Sequence, residues 1–176
     1  MSELRKANTD YPYFITLTVV GWIDIFSRRI YAEELIKNLI FCQQNKGLKI
    51  YAYVIMYSHV HLVCSQPEGR LNHVIRDFKS FTAKEILKMV LANKQESRRS
   101  WLLHLFKYHA KFYRQNKEHR FWQKTSYPVI LDEAHIFDQK VEYVHNNPVE
   151  AGIVREPENY VFSSANPDSL IKVDES

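Results

Sequence analysis

The stretch LKIYAYVIMYSHVHLVCS, residues 48–65, decides the fold. Its two parts, 48–56 and 59–65, are rich in β-branched and aromatic residues and read as strands. Tyr57 and Ser58 between them suit the tip of a tight connection, so the two strands pair antiparallel. Within a strand, residues i and i+2 share a face. His59 and His61 therefore project together, while Val60, Leu62 and Cys64 project to the other side, which is expected to be the core. Two imidazoles side by side on an open face can bind one divalent metal, and their mutual repulsion when protonated favours metal over protons. The same spacing also suits two ordinary surface residues on the alternate face. A metal reading needs a third ligand.

Outward from this hairpin, YFITLTVVGW (13–22) alternates and predicts a strand. RRIYAEELIKNLIFCQQNKG (28–47) places Ala32, Leu35, Ile36, Leu39 and Ile40 at helical spacing, with Gly47 as a natural stop. Pro67-Glu68-Gly69 is a turn, and 70–93 reads as a long amphipathic helix. SYPVIL (126–131) suits a short strand or extended connection. DEAHIFDQKVEYVHN (132–146) predicts a helix with acidic residues near its N-terminus, ending before Pro148. NYVFSSA (159–165) suits a last strand or an edge segment. The order β-α-β-β-α plus a fourth strand predicts an α+β fold. It is a ferredoxin-like (split βαβ) antiparallel sheet with helices packed on one face.

Composition narrows the class. The chain has 176 residues, 45% of them apolar, with only 4 Gly, which suits one ordinary domain and excludes collagen-like or disordered chains. No run approaches the roughly 18 continuous apolar residues of a membrane span. The opening MSELRKANTD lacks the apolar core of a signal peptide, so a cytoplasmic location is expected. Cys42 and Cys64 lie in apolar surroundings without zinc-type spacing and read as reduced core residues.

The net charge of +4 is unevenly spread. Residues 94–124 hold nine Lys or Arg and two Glu, a balance of +7, which leaves −3 for the rest. The segment also holds Trp101, Phe106, Tyr108, Phe112, Tyr113, Phe121 and Trp122. Cations neutralise phosphates and flat rings stack on unpaired bases. A solvated basic helix with core aromatics has the same composition. Arg98, Arg99, Lys107, Lys111, Arg114 and Arg120 are the candidate phosphate contacts.

In the 132–146 helix, Phe137, Val141 and Val144 form the apolar stripe. Tyr143 lies off it, and Asn147 follows one turn later on the same face. A Tyr at a core margin and an Asn-Pro helix stop explain the pattern without any chemistry. Combined with the histidines, it suggests more. His59, His61 and the Asn147 oxygen would hold Mg²⁺ or Mn²⁺ against a phosphodiester, and Tyr143 would attack phosphorus. Free Tyr has a pKa of about 10, so activation is needed, and the sequence names no base.

These residues carry a family resemblance. HVHL (59–62) resembles the His-hydrophobic-His motif of the HUH endonucleases. YVHNNPVEAGIV (143–154), followed by YVFSSA (160–165), is similar to the C-terminal signature of the IS200-like single-tyrosine transposases, in particular the REP-associated tyrosine transposase branch. YFITLTVVGWIDIF and FWQKTSYPVIL also fit, so the resemblance spans roughly 11–166. It implies a single domain over 1–176 with His59 and His61 on a central strand. It also implies cleavage of single-stranded DNA beside hairpins through a covalent 5′-phosphotyrosine, in transposition or the processing of REP elements. Tyr143 would be the nucleophile, with Asn147 as third ligand of Mg²⁺ or Mn²⁺ and Asn146 adjacent to it. Relatives include homodimers that exchange the tyrosine helix and others in which each chain completes its own site. The stretch around 94–124 is longer than in the smallest members, and would be a helical elaboration that grips hairpin DNA. Two rival readings are a catalytically silent module binding hairpin DNA or RNA, and a metal-dependent phosphohydrolase of small nucleotides. The latter lacks a Gly-rich phosphate loop.

Overall fold

A computed structural model describes residues 11–112 and 118–175. Four strands, β1 (Tyr13–Thr18), β2 (Lys49–Ile55), β3 (His59–Ser65) and β4 (Val129–Ile130), form one sheet in the order β2-β3-β1-β4. All neighbouring strands run antiparallel. With helices α1 (Arg29–Lys46) and α2 (Leu71–Ala92) in the two crossovers, this is the split βαβ arrangement of ferredoxin-like folds. Two further helices, α3 (Arg99–Ala110) and α4 (Ala134–Glu150), follow α2.

The hairpin forms as the sequence demands. Met56 N–H donates to the His59 carbonyl at 2.8 Å and closes the Tyr57-Ser58 tip. β2 carries a bulge at Tyr51, between the Ile50–Cys64 and Ala52–Val63 pairs. The bulge adds one residue, so Ile50 and Ala52 lie in different cores instead of sharing a face.

Alternation divides the sheet into two apolar faces. Ile15, Leu17, Tyr53, Val60, Leu62 and Cys64 join Leu35, Leu39, Phe78 and Ile86 of α1 and α2 in the larger core. α1 stops at Gly47, whose φ of 61° is open to glycine at little strain. Cys42 and Cys64 are both buried and free. Burial pushes their thiols up, to about 11 and about 12, and keeps them protonated.

The opposite face differs from expectation: it is not open. Phe14, Ala52, Val54 and Val63 pack there with Leu131, Val144 of α4 and Tyr160. Phe137 and Val141, the predicted stripe of α4, pack partly buried against the same cluster. α4 thus lies across the face that carries the two histidines. It also runs on through Pro148 to Glu150, past its expected end. Pro148 sits in the last turn, where its missing N–H deprives only the Val144 carbonyl, and its own carbonyl accepts the Ile153 N–H at 2.9 Å.

One other expected strand is shorter than expected, and of the two forms expected for 159–165 the structure takes the second. β1 ends at Thr18, because Gly21 and Trp22 both take positive φ, 61° and 55°, within a 3-10 turn at Val20–Trp22. The 159–165 segment is an edge segment: Ile55 N–H donates to the Phe162 carbonyl and Ser164 N–H to the Tyr53 carbonyl, both at 2.9 Å. None of the described helices is long and apolar enough to cross a membrane.

Candidate active site

Register builds the site. β3 lies between β1 and β2, and places His59 opposite Thr18 and His61 opposite Thr16. The two imidazoles project from the same face, with ring centroids 4.8 Å apart. His61 is 5% exposed. Its ring stacks on Phe14 at 5.2 Å, and its Nδ1 lies 2.9 Å from the Thr16 hydroxyl. His59 Nδ1 lies 3.2 Å from the Ser58 hydroxyl. With a hydroxyl at each Nδ1, Nε2 is the nitrogen that either ring keeps for a further ligand.

Burial sets the charge state of both rings. Loss of hydration pushes His61 down to about 3, helped by the neighbouring His59 and by the Lys140 ammonium. His59 is lowered by burial too, while a hydrogen bond with the Asn147 side chain pulls the other way. Near neutral pH His61 is a neutral ring with a free lone pair, which is the form that ligates metal.

α4 supplies the remaining groups. Its apolar stripe fixes the rotation of the helix on the sheet, and that rotation lays Tyr143 beside His61. The two ring centroids are 5.4 Å apart at 69°, and Phe14 lies edge-on to the phenol at 5.7 Å. Tyr143 keeps 36% of its surface exposed, so its ring is fixed while it remains open to solvent. Because the helix continues through Pro148, Asn147 stands one regular turn further on and reaches His59. His59, His61, Tyr143 and Asn147, each singled out by sequence, are gathered within a single chain.

The donor set suits a divalent ion. It offers two imidazoles held neutral and, in Asn147, a hard amide oxygen. Among the described residues no three His, Cys, Asp or Glu side chains form a metal-holding group. The Asn147 side chain, hydrogen-bonded to His59, is the oxygen donor standing beside the two rings.

Sequence reasoning did not single out Lys140, Thr16 or Trp22. Lys140, on the turn of α4 before Tyr143, sets its Nζ 5.0 Å from the Phe14 ring centroid and 5.4 Å from that of Tyr143. Its i, i+3 relation to Tyr143 was the available signal. Thr16 and Trp22 reach the histidines only through tertiary register. Trp22 lies edge-on to His59 at 5.4 Å.

The basic candidates divide. The Arg98 guanidinium is bound to Asp24 at 2.9 Å and to the buried Glu96 at 3.4 Å, so it pins the start of α3 to the fold. Arg120 donates through Nε to the Trp122 carbonyl at 2.8 Å. Lys107 and Lys111 stand exposed on and just after α3, and Arg99 is half-buried at its start. Arg114 lies outside the described residues. The aromatics divide likewise: Phe106, Phe121 and Trp122 are core, whereas Trp101, Tyr108 and Phe112 are exposed. The 94–124 stretch thus contributes aromatics to the core and, on the outer side of α3, leaves cations and rings exposed.

Residues 15–108 match the family model of IS200-like transposases, just over half of the chain, including both histidines. Tyr143 and Asn147 lie beyond the matched span. Among solved structures, the chain is similar to a REP-associated tyrosine transposase bound to a REP hairpin. The two share 17% identity with a TM-score of 0.57, over 96% of this chain and 87% of that one. At that identity the likeness is one of fold. No curated protein matches.

Proposed function

The chain belongs to the IS200-like transposase family, and on that footing we propose that it nicks and rejoins single-stranded DNA beside hairpins, with Tyr143 as the nucleophile. His59, His61 and Asn147 would hold Mg²⁺ or Mn²⁺. One observation carries this reading: Tyr143 packs 5.4 Å from the His61 ring while its phenol stays open to solvent. A nucleophile must meet both the site and the substrate, and this placement, with Asn147 bonded to His59 one turn on, allows both.

The Tyr143 oxygen attacks phosphorus and forms a P–O bond as the bond from phosphorus to the 3′-oxygen breaks. The phenol proton leaves to solvent, and the departing oxygen takes up a proton to become a 3′-OH. The 5′ end remains esterified to Tyr143. Attack by a 3′-OH reverses these changes, so rejoining needs no nucleotide triphosphate. A bound ion would supply Lewis-acid polarisation of the phosphodiester. The chain's own groups hold the parts in place. The Thr16 and Ser58 hydroxyls hold the imidazole rings in position through Nδ1, Phe14 holds the His61 and Tyr143 rings at a set angle, and Lys140 brings a cation to the place where phosphate charge must lie.

Hairpin DNA is the partner proposed, supported by the fold likeness and by the basic stretch around 94–124. The chain is read as one domain with that stretch as its elaboration. One chain supplies all four site residues, so completing the site does not require exchange of α4 in a homodimer. The test is incubation of labelled single-stranded DNA bearing a hairpin with the protein and Mg²⁺ or Mn²⁺, followed by a denaturing gel. A covalent adduct that Tyr143→Phe abolishes supports the proposal. Hairpin binding with no adduct on any flanking sequence would leave a binding module instead.

A further inference from the structure

The aromatic rings of the site do not end at the histidines. The His61–His59 contact continues to Trp22, edge-on to His59 at 5.4 Å. Trp22 is 60% exposed, although it is a large apolar side chain beside a buried site. Its backbone φ of 55° lies in the left-handed region, which bulky residues seldom enter and which stores strain. Strain held to keep an indole out of the core, against an imidazole, needs a use.

The next link is a close approach. Gly21 packs so tightly on His109 of α3 that a Cβ at position 21 would collide with the imidazole, so the turn carrying Trp22 is seated on α3. From His109 the rings run on along the surface. His109 meets Tyr108 at 5.5 Å, and Tyr108 meets Phe112 at 5.1 Å. Tyr108 and Phe112 are 46% and 67% exposed. Lys107 and Lys111, both exposed, flank these rings. Exposed rings alternating with cations, in line with a phosphodiester-cutting site, match the stacking faces and charges of an unpaired nucleic-acid strand. A protein partner would not call for that alternation.

We propose that the unpaired strand leaves the nick site over Trp22 and runs along α3, with bases stacked on Trp22, Tyr108 and Phe112 and phosphates at Lys107 and Lys111. Trp22 is the stacking platform for the base next to the cleaved phosphate. This rests on the nicking reading above, and its test separates the two.

The probe is a fluorescein-labelled oligo-dT, titrated by anisotropy in EDTA at low salt, with circular dichroism to verify folding of each variant. Trp22→Ala and Tyr108→Ala should each weaken binding about tenfold or more, and Trp22→Phe should restore most of the loss. Lys107→Gln with Lys111→Gln should flatten the slope of log affinity against log salt by about 1.4, at about 0.7 per phosphate contact for single strands. Phe81→Ala, equally exposed but lining the groove between α1 and α2, should leave binding unchanged. Wild-type affinity in folded Trp22→Ala and Tyr108→Ala, with the Tyr143 adduct still forming on cognate DNA, overturns the track and leaves the nicking reading standing. A wild-type protein that neither binds the strand nor forms an adduct overturns both.

Discussion

His61 and Lys111 mark two regions built under opposite conditions. The His59–His61 pocket is drawn out of water: its rings pack on one another and on Phe14, and its imidazoles are kept neutral. The outer face of α3 keeps its cations and rings in solvent. The difference fits the roles proposed for each. Ligation and attack at phosphorus need groups fixed in one geometry and one protonation state, which burial provides. Strand binding needs charges and ring faces that meet a ligand without first losing other partners. The two regions meet at Gly21 and Trp22, and a functional division between them can be broken by experiment.

The largest separation is expected at Tyr143. Tyr143→Phe should lower adduct formation at least about 10³-fold, on the scale of losing a covalent nucleophile. Strand affinity should stay within about twofold and the melting temperature within a degree or two. An adduct that persists in this variant would move the chemistry elsewhere. Next come the imidazoles. His59→Ala or His61→Ala, or EDTA added to wild type, should each slow adduct formation by about 10²-fold or more. Binding of the DNA in EDTA should be retained. If chelation leaves the adduct rate intact, the metal reading falls while the tyrosine reading survives.

Arg98 tests the comparison from the other side, because it stands in the basic segment yet belongs to the fold. Arg98→Ala removes the near partner of the buried Glu96 and the bond to Asp24. A stability loss of about 2 kcal/mol is expected by urea titration, because Glu96 loses its nearer cation but keeps Arg28 at 3.8 Å, the Tyr31 hydroxyl at 3.3 Å and the N–H of residue 98. Strand affinity should change less than in the Lys107 and Lys111 double variant. A stable Arg98→Ala protein with sharply weaker DNA binding would reverse the assignment.

This residue also shows what was legible in the sequence. The β2–β3 hairpin, the Gly47 stop and the pairing of His59 with His61 rest on spacings of a few residues, which geometry fixes locally. Tyr143 with Asn147 is another such case, at one helical turn. What failed was non-local. Strand alternation leaves the histidine face open, because its cover, α4, comes some seventy residues later. The alternation predicts a first strand running to Trp22 because Val19 and Val20 have high β-propensity, and nothing in a tryptophan announces a positive φ. Arg98 read as a phosphate ligand because its partner Asp24 is remote in sequence. Pro148 read as a stop because the rule concerns helix interiors, and here it falls where few hydrogen bonds remain to be lost.

Acid probes the protonation state on which the pocket depends. Folded His61 accepts a proton only near pH 3, whereas unfolded histidine does so near about 6.5. The unfolded chain therefore binds more protons between these limits, so stability falls as pH drops from about 6.5 toward 3 and is fully present above that window. The slope from this one residue approaches about 1.4 kcal/mol per pH unit. Urea midpoints for wild type and His61→Gln, compared from pH 7 down to 4.5, should converge as pH falls. Parallel curves would mean that His61 titrates normally in the fold and that burial does not hold it neutral.

Lys140 carries the smallest expected effect and the sharpest test, because it is a cation inside the pocket and so breaks the neutral-inside, charged-outside division. Its Nζ lies over the Phe14 and Tyr143 rings, where cation–π attraction holds it, and among the described residues it forms no salt bridge. If it served only to bind DNA, Lys140→Met would raise the strand concentration needed for half-maximal rate and leave the saturating rate alone. If it faces charge that grows on the phosphate during attack, the saturating rate should fall about tenfold while half-saturation hardly moves. A methylphosphonate at the nick separates these further, since it removes the phosphate charge. On that substrate Lys140→Met should react nearly as fast as wild type, because the cation no longer has an anion to oppose. A full tenfold deficit on the neutral substrate would show that Lys140 acts through ring packing alone.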